Sequence, residues 1–194
     1  MSRHADKSRS RPRVGQVTTH FSVRIGNIDD APAVSALLKA SYTEQLSASY
    51  SPDVLARALP LMTRANPRLL NSGTYYVAHT ETQLVGCGGW SMEAPGSNLI
   101  QEGNAHIRHV GTHPDWLRHG IARALLLRCF RDAATAGLTT LECHSTLGAV
   151  SFYVAMGFSV VGSMEMQLAP EIAIDGVLLR RELPDASAER NSKG

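Results

Sequence analysis

The chain has 194 residues, of which 43% are hydrophobic and 19% charged, with a formal net charge of +2 at pH 7. This length suits one domain with a substantial core, and the composition is that of an ordinary globular protein. The small net charge gives no support for nucleic acid as a partner, and we find neither an apolar run long enough to cross a bilayer nor a secretory signal. Three cysteines without C-x-x-C spacing, Cys87, Cys129 and Cys143, are predicted to be buried thiols. We therefore expect a cytoplasmic protein.

The two ends of the chain differ in composition from the rest. Residues 1–19 contain almost no apolar side chains and five basic ones: Arg3, Lys7, Arg9, Arg11 and Arg13. This pattern predicts a disordered basic tail, and a solvated extension is favoured over a nucleic-acid-binding or targeting segment. Residues 185–194 are polar and also predicted to be disordered. The sequence therefore predicts a single domain over residues 20–184.

Hydrophobic periodicity divides this domain into strands and helices. Alternation typical of strands occurs in 21–25, 74–78, 83–91, 105–112, 138–144, 158–168 and 172–181. Helical spacing occurs in 28–41, 121–136, 148–156 and a region from Ser51 that is interrupted by Pro60 and ended by Pro67. Glycines 86, 88 and 89 predict a bulge or a close backbone contact in their strand, and Asp175-Gly176 predicts a bulge or turn.

The stretch from Ala105 to Gly137 combines a strand, a polar turn and an amphipathic helix. Pro114 ends the strand because proline cannot donate a ladder hydrogen bond. From Ile121 the apolar residues recur with helical spacing, so the turn that ends in Gly120 leads into a helix N-terminus. Free backbone N–H groups and the helix dipole attract an anion there, and glycine lets the main chain approach it closely. A turn that only reverses the chain is the alternative.

A second motif follows further along the chain. Thr112-His113-Pro114 and the loop from Leu117 to Ala122 precede the segment Phe152-Tyr153-Val154-Ala155-Met156-Gly157-Phe158. In order and spacing, these motifs resemble the acetyl-CoA loop and the FY…GF segment of the GNAT acetyltransferase superfamily. The resemblance extends to residues 75–78 and 84–90 and covers roughly residues 21–183.

The resemblance implies an α+β domain with a mixed, mostly antiparallel sheet flanked by helices. The predicted order β-α-α-β-β-β-α-β-α-β-β agrees with that fold. In the family, the strand before the phosphate loop and the strand after its helix are parallel and splay apart, and their gap admits the thioester arm of the cofactor. Four residues fall in the region that often shapes the acceptor side of the cleft: Tyr42, Gln45, Tyr50 and Met62. For both tyrosines, packing beneath the helices is at least as favoured.

The resemblance also implies acetyl-CoA as the acetyl donor. Its pyrophosphate would lie against the backbone of six residues: Leu117, Arg118, His119, Gly120, Ile121 and Ala122. Its pantetheine arm would pair like an added strand with the backbone of Val110, Gly111 and Thr112. Leu117 departs from the Gln or Arg that usually opens the family's loop, and Gly148 stands where many members have Asn. We expect these two departures to weaken cofactor binding without abolishing it.

Tyr153 matches the family's tyrosine that lies beside the thioester sulfur and protonates the departing thiolate. A phenol, with a reference pKa of about 10, is a suitable donor because that value is close to the pKa of a thiol. A tyrosine that only packs in its helix is the alternative.

The general base is less clearly marked. His106 lies six residues before Thr112, where family members with a side-chain base often have Glu or His. Imidazole titrates near neutrality and can take the proton of an ammonium group directly or through water. Glu142 and His144 on the next predicted strand are alternatives, as is an ordered chain of water molecules.

Four histidines suggest the question of a metal site: His106, His109, His113 and His119. Strand alternation predicts that His106 and Arg108 share one face, with His109 on the other. No cysteine or acid completes a ligand set with these histidines, so we predict no bound metal.

Two functions of different class remain open. The first is an enzyme that moves the acetyl group of acetyl-CoA to a primary amine, on a small molecule or a peptide, by direct attack in a ternary complex. The second is a non-catalytic acyl-CoA-binding module or sensor, tethered by its basic tail. Tyr153 favours the enzyme, whereas Leu117 and Gly148 leave room for the module. The last strand pair suggests a homodimer, and nucleic acid is not an expected substrate.

Overall fold

A computed structural model describes residues 20–97 and 99–184, so the predicted tails lie outside the described residues. The described part contains seven strands and five α-helices. In chain order they are β1 (Ser22–Ile25), α1 (Ala31–Leu46), α2 (Pro52–Met62), α3 (Pro67–Leu70), β2 (Tyr75–His79), β3 (Leu84–Ser91), β4 (Asn104–Thr112), α4 (Ile121–Thr135), β5 (Thr140–Thr146), α5 (Val150–Ala155), β6 (Ser159–Ala169) and β7 (Ile172–Glu182). Among these helices, none combines the length and apolar character needed to cross a membrane.

All seven strands form one sheet in the order β1-β2-β3-β4-β5-β7-β6. Within the described ranges β4 and β5 are the only parallel neighbours, and every other adjacent pair is antiparallel. Their ladder covers only Asn104–His106 against Thr140–Glu142, after which the two strands separate. The predicted mixed, mostly antiparallel sheet with splayed central parallel strands is therefore confirmed.

Helices cover both faces of the sheet. On one face, α4 and α5 pack on a core that includes Tyr76, Leu125 and Leu141. On the other face, α1 and α3 cover a second cluster that includes Leu38 and Val77. The contact of α4 with β3 is close, because a Cβ at Gly86 would collide with the side chain of Ile121. All three cysteines are buried free thiols, as predicted.

Some local predictions were wrong. Helix α2 continues through Pro60 to Met62, because a proline this close to the helix C-terminus disrupts little of the remaining ladder. Pro67 begins α3 instead of ending a helix, since proline is tolerated in the first turn. The Asp175-Gly176 pair lies in the regular part of β7. The predicted bulge in β3 is present beside Gly86, where the pairing with β2 moves from Ala78 opposite Gly86 to His79 opposite Leu84.

Candidate active site

The gap between β4 and β5 opens into a cavity of about 250 Å³. Side chains and backbone from α1, β4, β5 and α5 line it, including Tyr42, Val110, Cys143, Gly148 and Tyr153. A larger cleft of about 660 Å³ lies next to it and is bounded in part by β6. The cavity and the cleft share five lining residues: Tyr42, Ile107, His109, His144 and Thr146. A ligand that fills both spaces would therefore pass this common wall.

Strand β4 carries a bulge at His109, whose φ is +47°. The pairing with β3 moves from Cys87 opposite Gly111 to Gly89 opposite Arg108, which leaves one extra residue on β4. The predicted alternation along the strand therefore fails beyond Arg108, and His109 lines the cavity instead of facing the opposite side. Burial, followed by the charge of Arg108, lowers the pKa of His109 to about 4, so this imidazole is neutral.

The backbone of β4 that was assigned to the pantetheine arm is in contact with α1. The hydroxyl of Tyr42 donates to the Val110 carbonyl at 3.2 Å, and the N–H of Thr112 donates to Ser41 Oγ, also at 3.2 Å. A carbonyl has two lone pairs, so Val110 can accept a second hydrogen bond, but the single hydrogen on Thr112 N cannot be shared as easily. A ligand that pairs with this edge would have to replace the Ser41 contact.

The predicted anion loop runs from Leu117 to Ala122 and is exposed up to Gly120, beyond which Ile121 is buried. Arg118 and Gly120 have positive φ values of 62° and 80°, and they turn the chain into α4. The first hydrogen bond of the helix runs from Ala124 N–H to the Gly120 carbonyl, and no side chain caps the helix start. The N–H groups before Ala124 are thus those that a helix leaves unsatisfied, which is the arrangement that binds an anion.

Tyr153 lies on α5 with its side chain at the wall of the cavity, beside Cys143. The residue is buried, with 7% of its surface exposed. Burial, and then the neighbouring Cys143 thiol, raise the pKa of Tyr153 well above its usual value. The phenol is therefore protonated at neutral pH.

A histidine cluster, formed by His106 and His144 with Glu142, lies where β4 and β5 begin to separate. The two imidazole rings are 5.8 Å apart between centroids, and His106 Nδ1 is 3.8 Å from Glu142 Oε2. Arg180 donates to the other carboxylate oxygen of Glu142 at 2.6 Å. His144 lines both the cavity and the cleft, whereas His106 is behind it, with 4% of its surface exposed.

The charge states in this cluster follow from burial and pairing. Burial lowers the pKa of both His106 and His144, and the charge of Glu142 offsets this only in part, so both rings are neutral near pH 7. For Glu142, burial favours a raised pKa, but hydrogen bonds from Arg180 and Asn104 bring the pKa below its ordinary value. The cluster thus contains two neutral imidazoles beside a carboxylate that stays ionised.

The histidines considered for a metal site are not the ones that the fold brings together. In the part of the chain that the structure describes, the group with metal-ligand character is His106, Glu142 and His144, whose ligand atoms lie within 4.8 Å of one another. The negative charge of Glu142 is already compensated by Arg180, so the trio offers a metal ion less net charge than its carboxylate alone would. The absence of a bound metal stays a prediction.

Residues on the acceptor side separate into two groups. Tyr42 and Gln45 line the cavity and Met62 lines the cleft, as the resemblance implies. Tyr50 has a packing role instead: its hydroxyl donates to the Asp175 carbonyl at 2.7 Å and accepts from Leu147 N–H at 3.0 Å. The predictions missed Arg108 and Cys143 as lining residues, because only the pairing of distant strands brings them to the gap.

A mixed sheet with splayed central strands, a glycine loop at a helix start and a tyrosine in the gap define the GNAT class of acetyltransferases. Residues 32–158 match the family model described as the acetyltransferase (GNAT) family, and the chain belongs to this family. The comparison with curated proteins gives no match.

Solved structures with the same fold come from several bacteria and an archaeon. A GCN5-related N-acetyltransferase from Rhodopseudomonas palustris is 17% identical, with a TM-score of 0.65, over 84% of this chain and 95% of that chain. The PaiA N-acetyltransferase of Thermoplasma acidophilum, solved with coenzyme A, is 15% identical, with a TM-score of 0.63, over 84% and 99%. A GNAT acetyltransferase from Staphylococcus aureus is 13% identical, with a TM-score of 0.58, over 85% and 100%. At these identities the likeness shows the fold.

Proposed function

We propose that the protein transfers the acetyl group of acetyl-CoA to a primary amine by direct attack in a ternary complex. The observation that carries this proposal is the position of Tyr153, a buried and protonated phenol at the gap between β4 and β5. A module that only binds acyl-CoA has no need of a proton donor there. The enzyme is therefore favoured over the non-catalytic alternative.

The residues at the start of α4 suit the pyrophosphate of acetyl-CoA. No atom lies within 4 Å of the position that a Cβ on Gly120 would take, so the backbone there is open to a ligand. The free N–H groups of the loop and first helical turn supply fixed dipoles, and Arg118 and His119 are exposed beside them. Leu117 contributes its backbone, so its departure from the family pattern costs a side-chain contact only.

The reaction needs the amine and the thioester to be held together, and it needs two proton transfers. The thioester supplies an activated carbonyl carbon and a thiolate leaving group. As the C–N bond forms and the C–S bond breaks, Tyr153 donates its phenolic proton to the sulfur. Holding the reactants in line contributes roughly 7–11 kcal/mol to lowering the barrier in favourable cases.

The histidine cluster is proposed as the acceptor of the amine proton. His144 borders both the cavity and the cleft and is neutral, so it can take the proton from the cavity side. His106, the base suggested by the family pattern, contacts His144 from behind and acts through it or through water. Glu142 stabilises the imidazolium that forms, because its carboxylate is ionised.

Thiol release from acetyl-CoA, measured against a panel of amines, tests the proposal. The panel includes a polyamine, free amino acids, and peptides with a free N-terminus or a lysine. We expect release that depends on one class of amine, with intersecting initial-rate lines, since a ternary complex gives no ping-pong pattern. Binding of acetyl-CoA with no amine-dependent release would support the acyl-CoA-binding module instead.

The remaining predictions concern the setting of the reaction. We propose a small-molecule or peptide amine as the acceptor, without a role for nucleic acid, in a cytoplasmic protein. The homodimer through the last strand pair stays a prediction, and β6 is the edge strand of the sheet available for such a contact. Light scattering of the purified chain measures the oligomeric state directly.

A further inference from the structure

Arg108, in the cleft beside the cavity, contacts no carboxylate in the described residues, unlike Arg24, Arg128 and Arg180. Arg108 lies on β4, is half-buried, and lines the cleft. One nitrogen of its guanidinium, Nη1, donates to Ser91 Oγ at 2.7 Å and to the Glu93 carbonyl at 3.2 Å. Both acceptors are uncharged groups. In the part of the chain that the structure describes, Arg108 forms no ion pair.

Other arginines of the domain show what a compensated guanidinium looks like here. Arg24, Arg128 and Arg180 each contact a carboxylate at 2.6 to 2.7 Å, and in each case a hydrogen bond to that carboxylate raises the pKa of the arginine. Arg108 behaves in the opposite way: burial lowers its pKa, although the charge of Glu93 opposes this. A partly desolvated charge with no carboxylate in contact is unfavourable and is a ready site for an anion.

The two contacts of Arg108 also fix the direction of its side chain. Ser91 and Glu93 accept from Nη1 alone, so within the described residues the Nε and Nη2 edge of the planar guanidinium keeps its N–H donors. A guanidinium edge matches the two oxygens of a carboxylate, with which it forms paired hydrogen bonds. The site is therefore held in place before a ligand arrives.

The rest of the cleft is largely apolar. Its hydrophobic lining comes from α2, β4 and β6 and consists of Leu61, Met62, Ile107, Met164, Met166 and Leu168. Alternation along β6 directs the side chains of Met164 and Met166 to the same face. Methionine side chains adapt to ligands of different shape. Glu165 of β6, an exposed residue between the two methionines, is also among the residues that line the cleft.

The cleft joins the reaction site through His144, His109 and Ile107, which line both spaces. Arg108 directly precedes the bulge at His109 and lies two residues before Val110 on β4. After the larger effect of burial, the charge of Arg108 also helps to lower the pKa of His144, so the guanidinium lies near that imidazole. An amine placed beside His144 can therefore belong to a molecule whose other groups contact Arg108 and the apolar cleft.

We propose that the acceptor is an α-amino acid with an apolar side chain, whose carboxylate binds Arg108 while its amine meets His144. This inference rests on the proposed acetyl transfer, because it names the class of amine at the same site. Polyamines lack the anion for Arg108, and a peptide N-terminus lacks a carboxylate next to its amine. Transfer to a polyamine or to a peptide N-terminus is therefore an outcome of the test that contradicts the proposal.

The test compares matched amines in the thiol-release assay: L-methionine, its amide and 3-(methylthio)propylamine. The amide is less basic than the amino acid and the alkylamine more basic, so a preference over both does not reflect the fraction of free amine. We expect kcat/KM for L-methionine to exceed that of both analogues by about 10- to 100-fold, the usual value of a hydrogen-bonded charge. Arg108→Gln should remove this preference, and Arg108→Lys should retain part of it.

Arg131→Gln is the matched control, because it removes the same charge from an exposed arginine on α4, on the other face of the sheet. Melting temperatures of all variants report folding. No preference for L-methionine, or one that survives in Arg108→Gln, would overturn the proposal.

A binding measurement separates this proposal from the proposed function. Calorimetric titration with N-acetyl-L-methionine and its amide needs no turnover. If no amine releases thiol but the acid binds more tightly than its amide in the wild type and equally in Arg108→Gln, the carboxylate site stands and acetyl transfer fails. If thiol is released from a carboxylate-free amine and the acid shows no Arg108-dependent binding, acetyl transfer stands and the carboxylate site is wrong.

Discussion

The loop at the start of α4 and the histidine cluster differ in the groups that they offer: the loop follows β4, whereas the cluster lies on β4 and β5 themselves. The loop offers backbone N–H groups of consecutive residues, next to Gly120, and is exposed. The cluster uses side chains of β4 and β5, with Arg180 of β7 behind them. The first arrangement is local in sequence and tolerates side-chain change, whereas the second depends on strand register and buried charge. Single substitutions should therefore affect the two sides in different ways.

Tyr153→Phe should have the largest effect on turnover, because it removes the proton donor and leaves both sides of the gap in place. The ring still packs against Phe158 and Phe152, so folding should be preserved. We expect kcat to fall by about 10²- to 10⁴-fold, the range for loss of a positioned acid. Stabilisation by acetyl-CoA in thermal melts should persist. A variant with full activity would remove the phenol from the mechanism.

Gly120→Glu should abolish cofactor binding because it changes the anion loop and leaves the histidine cluster intact. The new side chain brings strain at a φ of +80° and a negative charge to the anion loop. We expect the increase in melting temperature with acetyl-CoA to disappear, an increase that corresponds to about 2.7 kcal/mol at a ligand concentration of 100 Kd.

Gly137→Glu is the control for that experiment. Gly137 also has a positive φ, of 82°, and open space around it, but it follows the other end of α4. It should lose stability to a similar extent and keep the acetyl-CoA shift. An unchanged shift in Gly120→Glu would move the anion site elsewhere.

Variants of the histidine cluster sharpen the comparison through their pH dependence. Burial holds the pKa of both imidazoles below the ordinary value, so they are neutral bases at pH 7 and lose this capacity when the pH falls through the lowered pKa. We expect His144→Gln to reduce kcat/KM by about 10²-fold at neutral pH. The defect should shrink at high pH, where the amine is increasingly unprotonated without help.

His106→Gln should show the same pH trend with a smaller loss. If His106 acts through His144, the double variant should be no worse than His144→Gln alone, since residues in one relay are not additive. A defect of His106→Gln that does not change with pH would assign it a purely structural role. Rates measured from pH 6 to pH 10 in the same ionic strength distinguish these outcomes.

Removal of residues 1–19 should have the smallest effect. This segment lies outside the described residues, and its composition offers little apolar surface for a core. We expect the melting temperature and the acetyl-CoA shift of residues 20–194 to equal those of the full chain. An earlier melting transition would mean that the domain boundary at residue 20 is wrong.

Much of the loop at the start of α4, which offers backbone groups, was predictable from the sequence. Proline at 114, glycine at 120 and the change of period at Ile121 locate the strand end, the turn and the helix start, because each is a local property. The order of strands and the splay followed from the family resemblance. The predictions failed at Pro60 and Pro67, because a proline is tolerated close to a helix C-terminus and in the first turn.

The histidine cluster and the residues around it, which depend on side-chain positions, were less predictable. Simple alternation on β4 failed because an extra residue at His109 changes the face of those that follow. The relation of His106 to Glu142 and His144 depends on the parallel register with β5, which nothing in a single strand reveals. The role of Ser41 at the Thr112 N–H likewise depends on how α1 crosses β4. That Arg108 contacts no carboxylate becomes visible only when its neighbours in the fold are known.

The short ladder between β4 and β5 makes this seam the place where the domain opens most easily. In the described residues the ladder pairs only Asn104–His106 with β5, and the Gly103 carbonyl adds hydrogen bonds from the N–H groups of Thr139 and Thr140 at the same end. Amide hydrogens on the β5 side of residues 107–112 can then exchange with solvent through small local openings. Amide hydrogens between β2 and β3 exchange only when a larger part of the sheet opens. A ligand arm lying along β4 would act there as a temporary strand. Transient opening of the whole sheet would then be slower while the arm is bound.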